Sequence, residues 1–261
     1  NKSKSVECLT GGIEYLFKKY IVDYLKGFGK LTGPNGVHVE LLDGGHEDLD
    51  TKNIMIATGS EPTPLKPCPV DNDAKKIVDS TGALVLDSIP KKMAVDGGGV
   101  IGFEMGSVWR RLGAEVTVIE FLDRIVPGVD AELGKHFLRV LKKQGMKFKL
   151  STGVVASEVT DSGVTLTVAP AKGGDEKKMD FDVVLVSTGR KPFTAGLGLE
   201  ELGIETDRQG RILVNEHFQT KHPSIFAFGD CIDGPMLAHK AEEVGIACAE
   251  FIAGFAGHVN Y

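Results

Sequence analysis

The sequence of 261 residues has no long hydrophobic run and no excess of basic residues. No apolar stretch approaches the roughly 20 residues that span a bilayer, so no membrane-spanning helix and no membrane partner are predicted. A net charge of −6 argues against an obligate nucleic-acid binder. The opening residues 1–5 have no apolar segment, so they do not form a signal peptide.

Cysteines are few and lie far apart in the sequence. The four of them, Cys8, Cys68, Cys231 and Cys248, form no close pair. This spacing excludes a zinc ribbon and a local redox pair, and it implies no disulfide scaffold. We therefore expect free, reduced thiols that mostly pack in the core, and no metal site.

The most informative motif is a Gly-x-Gly-x-x-Gly turn at Gly97, Gly99 and Gly102. Residues 93–95 before it are apolar enough for a buried strand, and residues 103–112 after it have a helical pattern. The first glycine permits a tight turn, the second lets the backbone approach a pyrophosphate, and the third lets the helix pack close to the strand. The pyrophosphate then lies at the helix N-terminus, where free N–H groups favour an anion.

A second strand and an acid follow this turn. Residues 115–119 alternate as a strand and lead into Glu120. In dinucleotide-binding units an acid about 20 residues after the turn accepts hydrogen bonds from a ribose diol. Because a carboxylate there repels a 2′-phosphate, the sequence predicts NAD rather than NADP. The alternative is an ordinary βαβ turn without a ligand.

The rest of the chain has similar α/β signals. Four prolines in residues 61–69 indicate a domain boundary. Three further strands end in a glycine motif, at residues 57–59, 187–189 and 228–230, and ligands of open α/β sheets bind at such strand ends. Strands are predicted at 21–25, 37–41, 52–57, 147–150, 183–186 and 225–228, a β-meander at 154–168 with a loop at 172–178, and helices at 12–20, 130–144 and 238–254.

Over nearly its whole length, the chain resembles the two-dinucleotide flavoprotein disulfide reductases. The most similar stretches are residues 53–60, 97–109 and 234–242, and they most resemble the branch of that family that oxidises dihydrolipoamide. The resemblance implies an α/β fold class with two Rossmann-like domains. A partial FAD-binding domain then covers residues 1–60, a complete NAD-binding domain residues 61–190, and a central FAD-binding segment residues 191–261.

The resemblance also implies cofactors, partners and a location. FAD and NAD are the cofactors, and electrons pass from dihydrolipoamide through a disulfide and the flavin to NAD. The substrate is carried on lipoyl domains of 2-oxoacid dehydrogenase complexes, and the full-length protein is a homodimer. The location is the mitochondrial matrix, or the cytoplasm if the source is bacterial.

Individual cofactor contacts are implied by the same motifs. The positions that match NAD contacts are Gly97, Gly98, Gly99, Val100, Ile101, Gly102, Phe103, Glu104, Glu120, Val155 and Gly189. The positions that match FAD contacts are Gly29, Thr58, Gly59, Ser60, Asp230, Met236, Leu237, Ala238 and His239. Glu104 matches an acid beside the nicotinamide, Asp230 one that binds the ribityl chain, and residues 236–239 the segment beneath the flavin. Without the resemblance, Asp230 is as well explained as a helix cap and His239 as a surface histidine.

Several parts implied by the resemblance are missing from the sequence. It contains neither the FAD domain's own glycine fingerprint nor the CxxxxC redox disulfide, and the C-terminal interface domain with its His–Glu base is missing. The sequence also begins without an initiator Met. We therefore expect a middle piece of a longer protein, without catalytic residues of its own and without dihydrolipoamide turnover. The alternatives are an NAD-binding module without catalysis and another NADH-dependent flavoprotein, such as an NADH oxidase.

Asp96 departs from the family pattern, which has an apolar residue at the end of the first strand. Burial of a lone carboxylate costs several kcal/mol or raises its pKa, and its charge would repel a pyrophosphate. The alternatives are a weakened dinucleotide site and an error or variant in the sequence.

Overall fold

The computed structural model describes residues 2–259, which form two compact units. The inserted unit is Glu61–Lys191, and the flanking unit is the chain up to Ser60 and from Pro192 onward. Among the described residues, no helix has both the length and the apolar composition needed to cross a membrane.

Helices and strands alternate along the described chain as expected for an α/β fold. The helices are α1 (Lys2–Lys19), α2 (Ser80–Ala83), α3 (Val100–Leu112), α4 (Ala131–Lys143) and α5 (Ala238–Ile252), with a 3-10 helix at Gly229–Cys231. The strands are β1 (Gly27–Gly33), β2 (Gly36–Leu41), β3 (His46–Asp50), β4 (Ile54–Ile56), β5 (Ser60–Pro62), β6 (Ile77–Val78), β7 (Lys92–Asp96), β8 (Glu115–Ile119), β9 (Lys147–Lys149), β10 (Thr152–Thr160), β11 (Gly163–Pro170), β12 (Lys177–Phe181), β13 (Val183–Val186), β14 (Arg190–Pro192) and β15 (Ile225–Ala227).

A parallel five-stranded sheet forms the centre of the inserted unit. Its spatial order is β6-β13-β7-β8-β9, and the central strands are apolar on both faces because both faces are covered. On one face, Val95 of β7 packs with Phe103 of α3 and Leu141 of α4. On the other face, Ala94 packs with Leu166 of the antiparallel sheet β10-β11-β12.

Helix α3 follows β7 directly, as the glycine turn predicts. Gly99 is its N-cap, and Gly113 ends it with a left-handed φ of +118°. The N-cap of the next long helix, α4, is Asp130, whose carboxylate accepts hydrogen bonds from the N–H groups of Glu132 and Leu133. The predicted strand–turn–helix–strand unit is therefore present.

Two small sheets and α5 make up most of the flanking unit. Strands β1-β2-β3 form an antiparallel sheet, and β4 pairs in parallel with β15. Ile54, Ile56 and Ile225 of this parallel pair lie in the apolar core. Helix α5 buries Val244 and Cys248 on one face, as its spacing predicts, whereas α1 buries none of its residues.

The prediction of a strand at residues 21–25 is wrong. Helix α1 ends at Lys19, Ile21 has a left-handed φ of +57° and is 92% exposed, and regular structure resumes at Gly27. The run has the apolar composition of a strand but no neighbouring strand pairs with it in the described chain. Composition alone therefore misled the assignment.

The cysteines are free, as predicted. Cys68, Cys231 and Cys248 are buried, so they are packing thiols. Cys8 is exposed on α1, so it does not pack in the core as the other three do.

Candidate functional site

Gly97 and Gly102 hold the turn between β7 and α3 in a form that no larger residue permits. Gly97 has a φ of +111°, and a Cβ there would lie 2.4 Å from the carbonyl oxygen of Ser187. A Cβ on Gly102 would lie 2.4 Å from the carbonyl oxygen of Gly97. The turn and the close packing of helix on strand therefore both require glycine, as the motif predicts.

Gly99 faces open space. Its backbone is extended, with φ −88° and ψ −178°, and it provides no side-chain cap for α3. A Cβ on Gly99 would have no atom within 4 Å. The first N–H groups of α3 therefore have no side-chain cap at this residue, which is the arrangement that helix N-termini use to bind anions. These residues fit the diphosphate of a dinucleotide.

Glu120 lies beneath the glycine turn with both of its carboxylate oxygens engaged. Oε2 accepts a hydrogen bond of 2.6 Å from the N–H of Gly98, and Oε1 accepts one of 2.7 Å from the N–H of Leu122. A carboxylate has about four acceptor positions, so acceptor capacity remains for ribose hydroxyls. Glu120 therefore also orients the turn, a role that its spacing in the sequence does not reveal.

Asp96 is the residue of this region that departs from the expected apolar pattern. Its side chain is 6% exposed, and within the described chain Oδ2 has no hydrogen-bond partner. Burial, and secondarily the negative charge of Glu120, raises the pKa of Asp96 from 3.8 to about 7. The expectation that a carboxylate at this strand end has a raised pKa is confirmed.

The other residues matched to NAD lie on three different elements. Val100, Ile101, Phe103 and Glu104 all belong to α3, where Glu104 is exposed and Phe103 is buried against Phe137 with ring centroids 5.3 Å apart. The structure thus brings Gly97, Gly98, Gly102 and Glu120 into one cluster. It leaves Phe103 as a core residue that packs α3 against α4.

Val155 and Gly189 are far from the residues of that cluster in the amino-acid sequence. Val155 is half-exposed at a bulge in β10, where the register shifts between Val154 and Ala156. Gly189 follows β13 with a φ of +136°, and its carbonyl oxygen accepts a hydrogen bond from the N–H of Thr63. Both remain candidate contacts.

A second cluster lies in the flanking unit at the carboxyl ends of β4 and β15. These strands are parallel neighbours, so Ser60 after β4 and Asp230 after β15 meet at one edge. The hydroxyl of Ser60 donates a hydrogen bond of 2.6 Å to Oδ2 of Asp230. Beside it, the Thr58 hydroxyl donates to the carbonyl of Phe193, and Gly59 has a left-handed φ of +72°. Asp230 is therefore fixed in place by Ser60.

The remaining residues matched to FAD surround the start of α5 or lie in another sheet. Met236 is half-buried, whereas Leu237, Ala238 and His239 are exposed. Leu237 is the N-cap of α5 and makes no side-chain cap, so Asp230 is not the cap of this helix. Gly29 pairs with Val39 in the sheet β1-β2-β3, apart from the Ser60–Asp230 contact.

Lys240 is a residue of this region that the sequence analysis missed. Its side chain is 4% exposed, and Nζ donates hydrogen bonds to the carbonyl oxygens of Asp233 (2.7 Å) and Gly229 (3.1 Å). Burial lowers the pKa of Lys240, while the charges of Asp230 and Asp233 oppose that shift. The sequence contains one signal of this burial: Lys240 lies four residues before Val244, so both residues share the buried face of α5.

We expect Lys240→Met to destabilise the flanking unit by about 2 kcal/mol, because two backbone carbonyls near Asp230 lose a charged donor. Methionine keeps the length and the apolar stem of the side chain, so the loss reports the hydrogen bonds. The exposed Lys178→Met is the matched control, with an expected change within about 0.5 kcal/mol. Chemical denaturation followed by circular dichroism measures both, and equal stability of the two variants contradicts the proposed role of Lys240.

Metal ligation has no candidate here. Within residues 2–259, no group of three or more His, Cys, Asp or Glu side chains is placed to hold a metal ion. The chemistry that the two clusters support is recognition of polyhydroxyl and diphosphate groups by backbone N–H groups and fixed carboxylates.

Comparisons with known proteins show which proteins this chain is similar to. The chain is 58% identical to leghemoglobin reductase of Vigna unguiculata and 56% identical to mitochondrial dihydrolipoyl dehydrogenase 1 of Arabidopsis thaliana, with all of this chain aligned in both cases. Those alignments cover 49% and 51% of the two relatives, so the chain spans about half their length. Among solved structures, LpdA of Mycobacterium tuberculosis superposes with a TM-score of 0.81 at 25% identity, over 90% of this chain and 51% of that one.

The comparison with protein families covers both units. Residues 2–245 match the model of the pyridine nucleotide-disulphide oxidoreductases. The α/β architecture with a parallel sheet is the fold that such enzymes share with the solved structure. The chain therefore belongs to the pyridine nucleotide-disulphide oxidoreductase family.

Proposed function

We propose that this chain is the NAD-binding domain, together with part of the FAD-binding region, of a dihydrolipoyl dehydrogenase. The observation that carries the proposal is the uncapped, open N-terminus of α3 beside Gly99, with Glu120 fixed beneath the same turn. The NAD-binding domain is residues 61–190, and residues 1–60 and 191–261 contribute to FAD binding. NAD, when bound, accepts a hydride, and the residues of this chain bind and orient it.

Each residue of the NAD site has a task in this proposal. The N–H groups at Gly99 and the first turn of α3 bind the pyrophosphate, and the remaining acceptor positions of Glu120 bind the adenosine ribose. Glu104, exposed on α3 one turn further along, is the proposed contact to the nicotinamide. Val155 contacts the dinucleotide from the bulge in β10, and Gly189 contacts it from the turn that follows β13.

The FAD contacts form the less complete part of the proposal. Asp230, held by Ser60, accepts hydrogen bonds from the ribityl hydroxyls through Oδ1, which leaves the Ser60 bond intact. Residues 236–239 lie at the start of α5, where the uncapped backbone N–H groups would bind the flavin. Gly29 and Thr58–Ser60 contribute further backbone contacts.

The activity of the whole protein is proposed from its relatives. Dihydrolipoamide on lipoyl domains of 2-oxoacid dehydrogenase complexes is the electron donor, a redox disulfide lies between it and the flavin, and the whole protein is a homodimer. Relatives from Arabidopsis thaliana and Dictyostelium discoideum, 56% and 57% identical, are named as mitochondrial dihydrolipoyl dehydrogenases. These names support both the substrate and a location in the mitochondrial matrix.

Titration of the chain with NAD⁺ and with NADP⁺ at pH 6 tests the proposed site. We expect NAD⁺ to bind at least about tenfold more tightly, because the Glu120 carboxylate repels a 2′-phosphate. Glu120→Gln removes the negative charge of the carboxylate and should reduce the difference in affinity between NAD⁺ and NADP⁺. Equal affinity for the two nucleotides, or binding of neither, contradicts the proposal. A visible spectrum of the same sample reports whether flavin is retained.

A further inference from the structure

We propose that Asp96 couples dinucleotide binding to protonation, so that the chain binds NAD with a neutral Asp96 and takes up a proton when it binds near neutral pH. The inference rests on the proposed NAD site and adds a pH dependence to it. It concerns a carboxylate at the end of β7, immediately before the glycine turn.

The backbone holds Asp96 in this position. It pairs with Val186 on one side and Ile119 on the other, and its carbonyl oxygen accepts hydrogen bonds from the N–H and the hydroxyl of Ser187. The same hydroxyl donates to the carbonyl of Gly97. The backbone of Asp96 is therefore held at the base of the turn, and the residue is 6% exposed there.

The surroundings of the carboxylate are apolar or negatively charged. By strand alternation Asp96 lies on the same face of the sheet as Ala94, where Val186, Leu166 and Cys68 form an apolar cluster. The apolar side chains of that cluster come from β11 and β12, which pack on this face, and from β13, the neighbouring strand of the sheet; they are Val164, Leu166, Val168, Phe181, Val184 and Val186.

Two titratable groups face Asp96. Glu120, at the end of β8, is the one charged group in the described chain that shifts the pKa of Asp96. Burial, followed by the charge of Asp96, raises the pKa of the Cys68 thiol to about 12, so Cys68 is neutral. The hydroxyl of Ser157 on β10 donates a hydrogen bond to the sulfur and opposes part of that shift. An ionised Asp96 thus has no compensating cation.

A pyrophosphate bound at the glycine turn would add two negative charges at a turn that begins one residue after this buried carboxylate. Since Asp96 in the free chain has a pKa of about 7, it is mostly neutral at pH 6 and mostly ionised at pH 8. Binding then favours the neutral form and raises its pKa further, which is uptake of a proton. The affinity for NAD⁺ is therefore independent of pH at low pH, and above pH 7 it falls by up to about tenfold per pH unit.

The experiment is NAD⁺ titration calorimetry of the 261-residue chain from pH 5.5 to 8.5, in two buffers with different ionisation enthalpies at each pH. For the wild type we expect affinity to fall by about tenfold between pH 6.5 and 8, with net proton uptake at pH 8. Asp96→Asn and Asp96→Val carry no charge at this position and should show a flat profile and no uptake. Asp161→Asn, at an exposed turn, is the matched control and should behave as the wild type.

The outcomes separate the two proposals. If the Asp96 variants bind NAD⁺ with the same pH profile and proton uptake as the wild type, the coupling is overturned and the NAD site stands. If neither the wild type nor the variants bind NAD⁺ at any pH, the proposed function fails, and the coupling fails with it.

Discussion

Asp96→Asn is expected to stabilise the inserted unit by about 4 kcal/mol at pH 8, since one pKa unit is worth about 1.4 kcal/mol. Folding raises the pKa of Asp96 from 3.8 to about 7, so the folded state holds a proton that the unfolded state releases. Stability contributed by this residue therefore falls as the pH rises from about 4 to about 7, and it stays low above that range. Asparagine has the shape of the protonated acid and avoids this loss.

Because the sequence has a single tryptophan and it lies in the inserted unit, unfolding followed by tryptophan fluorescence reports on that unit. Trp109 lies on α3 and packs against the apolar core beneath the sheet. Urea unfolding followed by its fluorescence, at pH 5 and at pH 8, should show the advantage of Asp96→Asn growing by about 2 to 3 kcal/mol. Asp161→Asn, exposed on the same unit, should show no such growth. An advantage of Asp96→Asn that is equal at both pH values contradicts the raised pKa.

Gly97→Ala is expected to unfold the inserted unit or to destabilise it by at least about 3 kcal/mol. The φ of +111° is strained for any residue with a Cβ, and that Cβ would lie 2.4 Å from the oxygen and 2.7 Å from the carbon of the Ser187 carbonyl. The carbonyl belongs to the backbone that follows β13, so it cannot rotate away as a flexible side chain does. The strained φ and the overlap with the Ser187 carbonyl therefore both destabilise the folded state of Gly97→Ala.

Gly99→Ala is the matched control for Gly97→Ala, because the chemical change is identical and the position lies two residues away. Its φ is −88°, and a Cβ there meets no atom within 4 Å. We expect a loss of less than about 1 kcal/mol, the ordinary cost of alanine at an N-cap. Thermal unfolding followed by Trp109 fluorescence measures both variants. Similar melting temperatures for the two contradict the account of the turn.

The sequence predicts the inserted unit well because its signals are local. The glycine turn and the apolar strands on either side each act within a few residues, and all of them recur in the structure. Asp96 is predictable for the same reason, since a charge at the end of a buried strand is visible in the sequence. The mistaken strand at residues 21–25 shows the limit, because a strand needs a partner that composition does not identify.

The finer features of the two sites depend on contacts between distant residues. Lys240 binds the carbonyl of Gly229, and Ser60 binds Asp230 across 170 positions of the chain. Glu120 holds the N–H of Gly98 in addition to its expected role toward ribose. Such pairings follow from the packing of whole elements, so no pattern within a single segment indicates them.

Binding of NAD⁺ to Gly99→Val, compared with the wild type at pH 6, tests the central claim most directly. The account predicts that the variant keeps the fold, because the space at Gly99 is open, yet loses NAD⁺ affinity by at least about a hundredfold, because the side chain occupies the place of the pyrophosphate. Unchanged NAD⁺ affinity in a folded Gly99→Val variant would show that the dinucleotide does not bind at the N-terminus of α3.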